Sequence, residues 1–406
     1  MANTRDITDN STSFMANSTD LMANSTDLMA NSTELMANKM ANYVFERYTP
    51  TGLLEVFTPA GQMVEKCLMP LFYFIGYIGN PLSAYIWLSQ RMRRNNSSAI
   101  YLGALSISDL MFLMLHLLYY LHTVWGYGIY NGPVTCELFM VLFYAPQYLS
   151  SLLVLGFTAE RYIAVCHPFM KEKWCTVWRA VVIVLCLAVF SLCVASVQGY
   201  IWTYNLNTSA CYLREEAHDG NFWSVWGWCT EIPFFVLLPL LVLLLNMLVL
   251  REIYKISRND LVNRQQTRGG GGSTASTVTL LAVSFFFIVT QLSATVANNL
   301  QPLFPTGDHN MTDDQIRQDS TWMSLFRYLE VKRVVDALCL SHYACYFLIY
   351  CCTGKHFRKE IYFLLTLHGR LANMVSRRRG REQYSMVSTN GGQLSETFTT
   401  NFSTTM

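Results

Sequence analysis

FTAERYIAVCHPF, residues 157–169, closes the apolar run FMVLFYAPQYLSSLLVLGFTA at 139–159 with an acid and a base side by side, Glu160 and Arg161. Two charges at the end of so apolar a segment are costly unless they face protein or water. What surrounds them therefore decides the fold. The chain has 406 residues, 52% hydrophobic and only 14% charged, against about 25% charged in an ordinary soluble domain. The apolar residues gather in seven blocks, 67–89, 99–122, 137–159, 180–202, 225–250, 277–297 and 334–352. Each is close to the roughly 20 helical residues that span a bilayer. In lipid the backbone must satisfy its own hydrogen bonds, so the blocks read as helices. The expected fold is an all-α membrane protein, a seven-transmembrane helix bundle. A net charge of only +2 gives no reason to expect a nucleic-acid partner.

Lys and Arg set the expected orientation. Arg91, Arg93 and Arg94 follow block one; Lys171, Lys173 and Arg179 follow block three. Five basic residues lie in 251–276 and eight in 353–382, whereas 123–135 has none. The positive-inside rule then places the N-terminus outside the plasma membrane and the C-terminus in the cytoplasm. The first 60 residues show no basic region followed by an apolar core, so no cleavable signal peptide is expected and the first helix would direct insertion.

Residues 1–62 read as an extracellular, disordered tail. MANSTDL at 15–21 recurs at 22–28 and, as MANSTEL, at 29–35. Leu and the next Met are adjacent, so no coiled-coil seam forms. Each repeat instead carries an N-x-T acceptor, and Asn10, Asn17, Asn24 and Asn31 are the expected glycosylation sites. Cys136 and Cys211 fall on the expected outer side, where disulfides persist; a bridge between them would tie loop 203–224 across the bundle, with Cys67 and Cys229 as rival partners.

Seven helices with an outer N-terminus, Gly79-Asn80, LSISDL at 105–110, Trp125, Cys136, ERY at 160–162, Pro239, and FLIYC at 347–351 followed by TGKHFRKEIYFLL occur in order. As a set they resemble the rhodopsin-like (class A) G-protein-coupled receptors over residues 65–370. The resemblance implies that Glu160 holds Arg161 at rest and that Arg161, Tyr162, Pro168, Phe169 and Tyr350 serve activation and contact with a heterotrimeric G protein. It implies a Cys136–Cys211 bridge and an amphipathic eighth helix within 353–371. Asp109, Ser150 and Asn80 belong to the family's sodium and switch region, so an allosteric sodium ion at Asp109 is the one cofactor to test; no other metal is expected.

The departures from the pattern lie in the switches. The helix-six F-x-x-C-W-x-P reads with Gln291 for the aromatic and Ser293 for the proline, and N-P-x-x-Y keeps only Tyr350. The helix-five tyrosine position holds Met247, and the remaining sodium-ligand positions fall on Gln291, His342 and Tyr346. Phe143 stands where amine receptors need an aspartate, and Leu340 where opsins need a lysine.

Glu231 and Asp336 lie within helices on the outer side, and intramembrane carboxylates are functional candidates. With Gln291, Phe143, Tyr144, His116 and Tyr120 they make the expected ligand site, suited to a cationic peptide. NNSSAIYLGALSISDLMFL with FLIYC looks most like peptide receptors of the FMRFamide and thyrotropin-releasing-hormone kind. The expected function is a neuropeptide receptor. The alternatives are a non-signalling scavenger or scaffold and a transporter or channel; no constellation suggests an enzyme. The segment 372–406 reads as a cytoplasmic tail. Its SRRRGR at 376–381 suits membrane lipids, and its Ser- and Thr-rich end suits receptor kinases and arrestin.

Overall fold

The computed structural model describes residues 44–48, 50–94, 96–206, 210–214, 222–262 and 271–366. The acceptors Asn10, Asn17, Asn24 and Asn31 and the 372–406 tail lie outside the described residues. The long helices are α1 (Pro59–Trp87), α2 (Ser98–Thr123), α3 (Thr135–Cys166) and α4 (Val177–Ala195). Then comes α5, which runs through Phe222–Ile232, a π-helical turn Pro233–Leu237 and Leu238–Val262. α6 (Gly271–Leu300), α7 (Ser320–Thr353) and the short α8 (Lys355–Leu365) follow.

Six stretches among the described residues are long and apolar enough to cross a membrane: 98–123, 135–166, 177–201, 229–256, 278–303 and 320–353. The chain is a multi-pass membrane protein. α1 is long enough, but Pro70, Asn80, Pro81 and three tyrosines make it less apolar than the rest.

The helices pack as a ring, α1 against α2 and α7, and α6 against α5 and α7. α3 touches α2, α4, α5 and α6. Centrality is why Tyr148, Leu153, Val154 and Phe157 of α3 are fully enclosed. α4 is the converse: Leu185, Val189, Phe190 and Leu192 are exposed. A helix apolar on its outward face as well as its inward one is built for lipid.

The prolines leave backbone carbonyls to be satisfied elsewhere. Pro239 has no N–H for the carbonyl of Phe235, four residues back. That carbonyl accepts the Thr295 hydroxyl from α6 at 2.9 Å. The π-turn lies just before this point, and a π-turn rotates the face of everything after it. Met247, which stands at the helix-five tyrosine position, is exposed, and Asn246 beside it is buried.

Three features depart from the sequence expectation. α7 begins at Ser320, well before 334, capped by Asp319, whose carboxylate accepts the Trp322 N–H at 2.8 Å. Its outlying turns bury Trp322, Leu325, Phe326 and Tyr328. Those side chains pack on two short helices, Val44–Arg47 and Pro50–Phe57, drawn from the segment read as tail. The third is a two-stranded antiparallel ribbon, β1 (Trp202–Asn205) and β2 (Ala210–Leu213), within an otherwise helical chain.

Candidate functional site

At one end of the bundle, α3 delivers Glu160 and Arg161. Glu160 is buried, and its carboxylate takes the hydroxyls of Ser97 and, at 3.4 Å, Ser98. These serines open α2, so the acid also meets the positive end of that helix. The Arg161 guanidinium next to it in sequence is also close enough to attract the carboxylate electrostatically. The carboxylate thus sits between the α2 terminus and the arginine.

Arg161 lines a cavity of about 240 Å³ with Arg91, Arg94, Lys355 and His356, a strongly cationic mouth. It also borders a small void with Asn246, Thr158 and Ser284. Tyr162 meets the His167 ring edge-on at 5.5 Å. Pro168 starts a helix of about two turns, Pro168–Trp174, that leaves Phe169 99% exposed. Tyr350 is buried, edge-on to Trp87 at 5.3 Å and tilted on Phe357 of α8 at 5.3 Å. Between α3 and α4, burial pushes the Cys175 thiol up to about 11, with Glu160 adding to the shift.

Midway along the bundle lies a buried polar cluster. The Ser150 hydroxyl donates to Asp109 Oδ1 at 2.8 Å and lies 2.9 Å from the Ser108 hydroxyl. Asn80 donates to the Tyr343 carbonyl at 2.9 Å, tying α1 to α7. Asp109 Oδ2, Asn80 Oδ1, Tyr346 OH and His342 Nε2 are buried without a hydrogen-bond partner among the described residues. Gln291 and His342, which stand at divergent sodium-ligand positions, have other contacts: Gln291 faces Cys339 at 4.0 Å, and His342 Nδ1 meets the Thr290 hydroxyl at 3.1 Å. Among the described residues no group of three His, Cys, Asp or Glu is placed to hold a metal ion.

At the other end, a cavity of about 460 Å³ opens between the helices and collects all seven residues expected to bind ligand: Glu231, Asp336, Gln291, Phe143, Tyr144, His116 and Tyr120. Phe143 and Tyr119 stack at 5.2 Å, and the Tyr73 hydroxyl bonds His116 Nδ1 at 2.8 Å, so one wall is a fixed aromatic bank. The two carboxylates are not equivalent. Asp336 is taken by Lys332 one turn earlier at 2.6 Å. Glu65, which was not among the residues expected to bind ligand, also lines the cavity and pairs with Arg333 at 3.6 Å. Glu231 has no ion-pair partner among the described residues and stays solvent-accessible. The signal for Glu65 was present: an acid at the mouth of the first apolar block, facing the basic pair at the mouth of the seventh.

The disulfide joins Cys136 to Cys211 with Cα atoms 5.6 Å apart. Around it the Tyr204 N–H donates to Glu137 at 3.3 Å and the Cys211 N–H to the Asn131 side chain at 3.3 Å. The ribbon is thus pinned to the start of α3, beside the cavity.

A family model described as 7 transmembrane receptor (rhodopsin family) matches residues 79–330, more than half of the chain. The thyrotropin-releasing hormone receptor of Gallus gallus is 30% identical over 184 residues, 43% of this chain and 44% of that protein. The growth hormone secretagogue receptor type 1 of Oryctolagus cuniculus is 26% identical over 198 residues, 46% and 53% of the two chains. The neuromedin-U receptor 2 of Homo sapiens is 31% identical over 151 residues, 36% of each. The chain spans about half or less of the length of these curated relatives.

Proposed function

The chain belongs to the seven-transmembrane receptors of the rhodopsin family, and on that premise we propose that it is a G-protein-coupled receptor for an extracellular, cationic neuropeptide. In this reading α1 is the first of seven spans and α8 an amphipathic helix on the cytoplasmic membrane surface. The disulfide end faces outward from the plasma membrane, and the Arg161 end faces a heterotrimeric G protein. The first 62 residues supply a glycosylated outer segment. The basic and Ser/Thr-rich tail engages lipid headgroups, receptor kinases and arrestin.

The observation that carries the reading is Glu231. Among the described residues it has no ion-pair partner, in a cavity whose other carboxylates are each paired with a basic residue of α7. Aromatic walls and one accessible negative charge suit a peptide carrying an Arg or a free amine. The relatives' names support a peptide ligand: thyrotropin-releasing hormone and neuromedin U are what two of them are named for.

The polar cluster fits a small cation. Asp109 and the Ser150 hydroxyl would hold sodium, whose charge would favour the resting bundle. Arg161, with exposed Phe169 and the Pro168 that positions it, forms the G-protein surface.

The test is guanine-nucleotide exchange on heterotrimeric G protein by receptor-bearing membranes exposed to amidated basic peptides. Exchange driven by one of them, lost in Arg161→Ala while peptide binding persists, supports the reading. Peptide binding without exchange in the wild type would leave a non-signalling scavenger, a reading the altered switch positions Gln291 and Ser293 make concrete.

A further inference from the structure

A second cavity, about 630 Å³, sits directly outside the first. Its walls are apolar: Leu53, Leu54, Phe304, Trp322, Phe326 and Leu329. Glu231, Asn298 and Asn299 line both cavities, so the two share one wall with the accessible carboxylate on it.

The outer cavity exists because the chain folds a cap over the end of α7. Leu53 and Leu54 come from the short helix Pro50–Phe57. Phe57 stacks on Phe326 at 4.9 Å, and the Val44 N–H donates to the His309 carbonyl at 2.8 Å. Arg47 pairs with Asp313 at 3.0 Å, and the Tyr48 hydroxyl donates to the same carboxylate at 2.6 Å. No disulfide is needed to hold the segment down; an apolar seam and one shared acid do it.

Resting on the peptide-receptor reading, we propose that the outer cavity is a second ligand subsite, and that the ligand is a peptide with a bulky apolar side chain close in sequence to its basic one. The basic group meets Glu231, and the apolar side chain enters the pocket roofed by Leu53 and Leu54. Both the chemistry and the adjacency follow from the shared wall: a cation held at Glu231 leaves its neighbours at the edge of an apolar hollow. Residues 44–57 are then part of the binding site.

The test uses the full-length receptor in nanodiscs and fluorescein-labelled synthetic pentapeptide amides. Each peptide holds one Arg, with Phe or Ala at one to four positions away. Binding is read by anisotropy. At the best spacing the Phe peptide should bind about tenfold or more tightly than its Ala twin, the scale set by burying one large apolar side chain. Leu329→Phe fills the outer cavity and should abolish that advantage, so that the Phe and Ala peptides bind this variant with equal affinity. Glu231→Gln should weaken both peptides. Equal affinities for Phe and Ala peptides, or a Phe advantage that survives Leu329→Phe, would overturn the subsite while the peptide reading stood. If no Arg peptide bound, or Glu231→Gln changed neither, the cationic-peptide reading would fall and the subsite with it. Thermal melting of each variant separates misfolding from a local effect, and an unfolded Leu329→Phe is replaced by Leu54→Trp, which fills the same hollow from the cap.

Discussion

Glu160 illustrates how a buried charge is tolerated. Two serine hydroxyls, the N-terminus of α2 and the neighbouring Arg161 guanidinium together replace the water it loses. Removing both hydroxyls, in Ser97→Ala with Ser98→Ala, should free the carboxylate to swing toward Arg161 and lower basal nucleotide exchange. Unchanged or raised basal exchange would show that the serines do not set the position of Glu160. The outer carboxylates make a sharper contrast. Glu231→Gln should weaken a cationic agonist by roughly 10- to 100-fold, the 1.5–3 kcal/mol of a hydrogen bond to a charged group. Asp336→Asn removes an acid already engaged by Lys332 in a half-exposed pair, and should cost about 0–1 kcal/mol in agonist potency. Sequence made both acids candidates; only the placement of Lys332 separates them.

Elements differ in how far their sequence reveals them. The apolar blocks 99–122 and 137–159 lie within α2 and α3 because nothing but lipid and protein core suits those residues. The ends were harder. Ser320–Tyr328 carries Arg327 and several polar residues, and is helical because its apolar positions meet the cap rather than lipid. The cap itself, 44–57, looked like tail since its few apolar residues acquire meaning only against α7. The inward face of α5 could not be read either, since the π-turn resets the register after Leu237. Thr295 is the residue that compensates there: Thr295→Val should leave the Phe235 carbonyl without its cross-helix donor and destabilise the solubilised receptor by about 1 kcal/mol. A thermal-shift measurement showing no loss would mean the carbonyl is satisfied another way.

At the scale of the whole molecule the chain separates charge by end. One end is a cationic mouth around Arg161 with Arg91, Arg94 and Lys355. The other is a cavity with Glu231 free of an ion pair among the described residues, flanked by a disulfide-pinned ribbon and an apolar cap. Breaking the bridge, in Cys136→Ser with Cys211→Ser, releases a ribbon that also depends on Glu137 and Asn131. It should weaken agonist binding more than it weakens the bundle, and a comparison of peptide affinity with melting temperature checks the difference. The order of motifs and the six strongly apolar spans were legible in the sequence. The division of labour among the acids was not, because it depends on which helix turns face one another. The measurement that tests the central claim most directly is guanine-nucleotide exchange in membranes bearing wild type, Arg161→Ala or Glu231→Gln, titrated with an amidated peptide carrying one Arg. Peptide-driven exchange in the wild type, its loss at saturating peptide in Arg161→Ala, and a rightward shift of 10-fold or more without loss of the maximum in Glu231→Gln are the predicted results. Equal exchange in all three, or a Glu231→Gln curve that overlies the wild type, would contradict it.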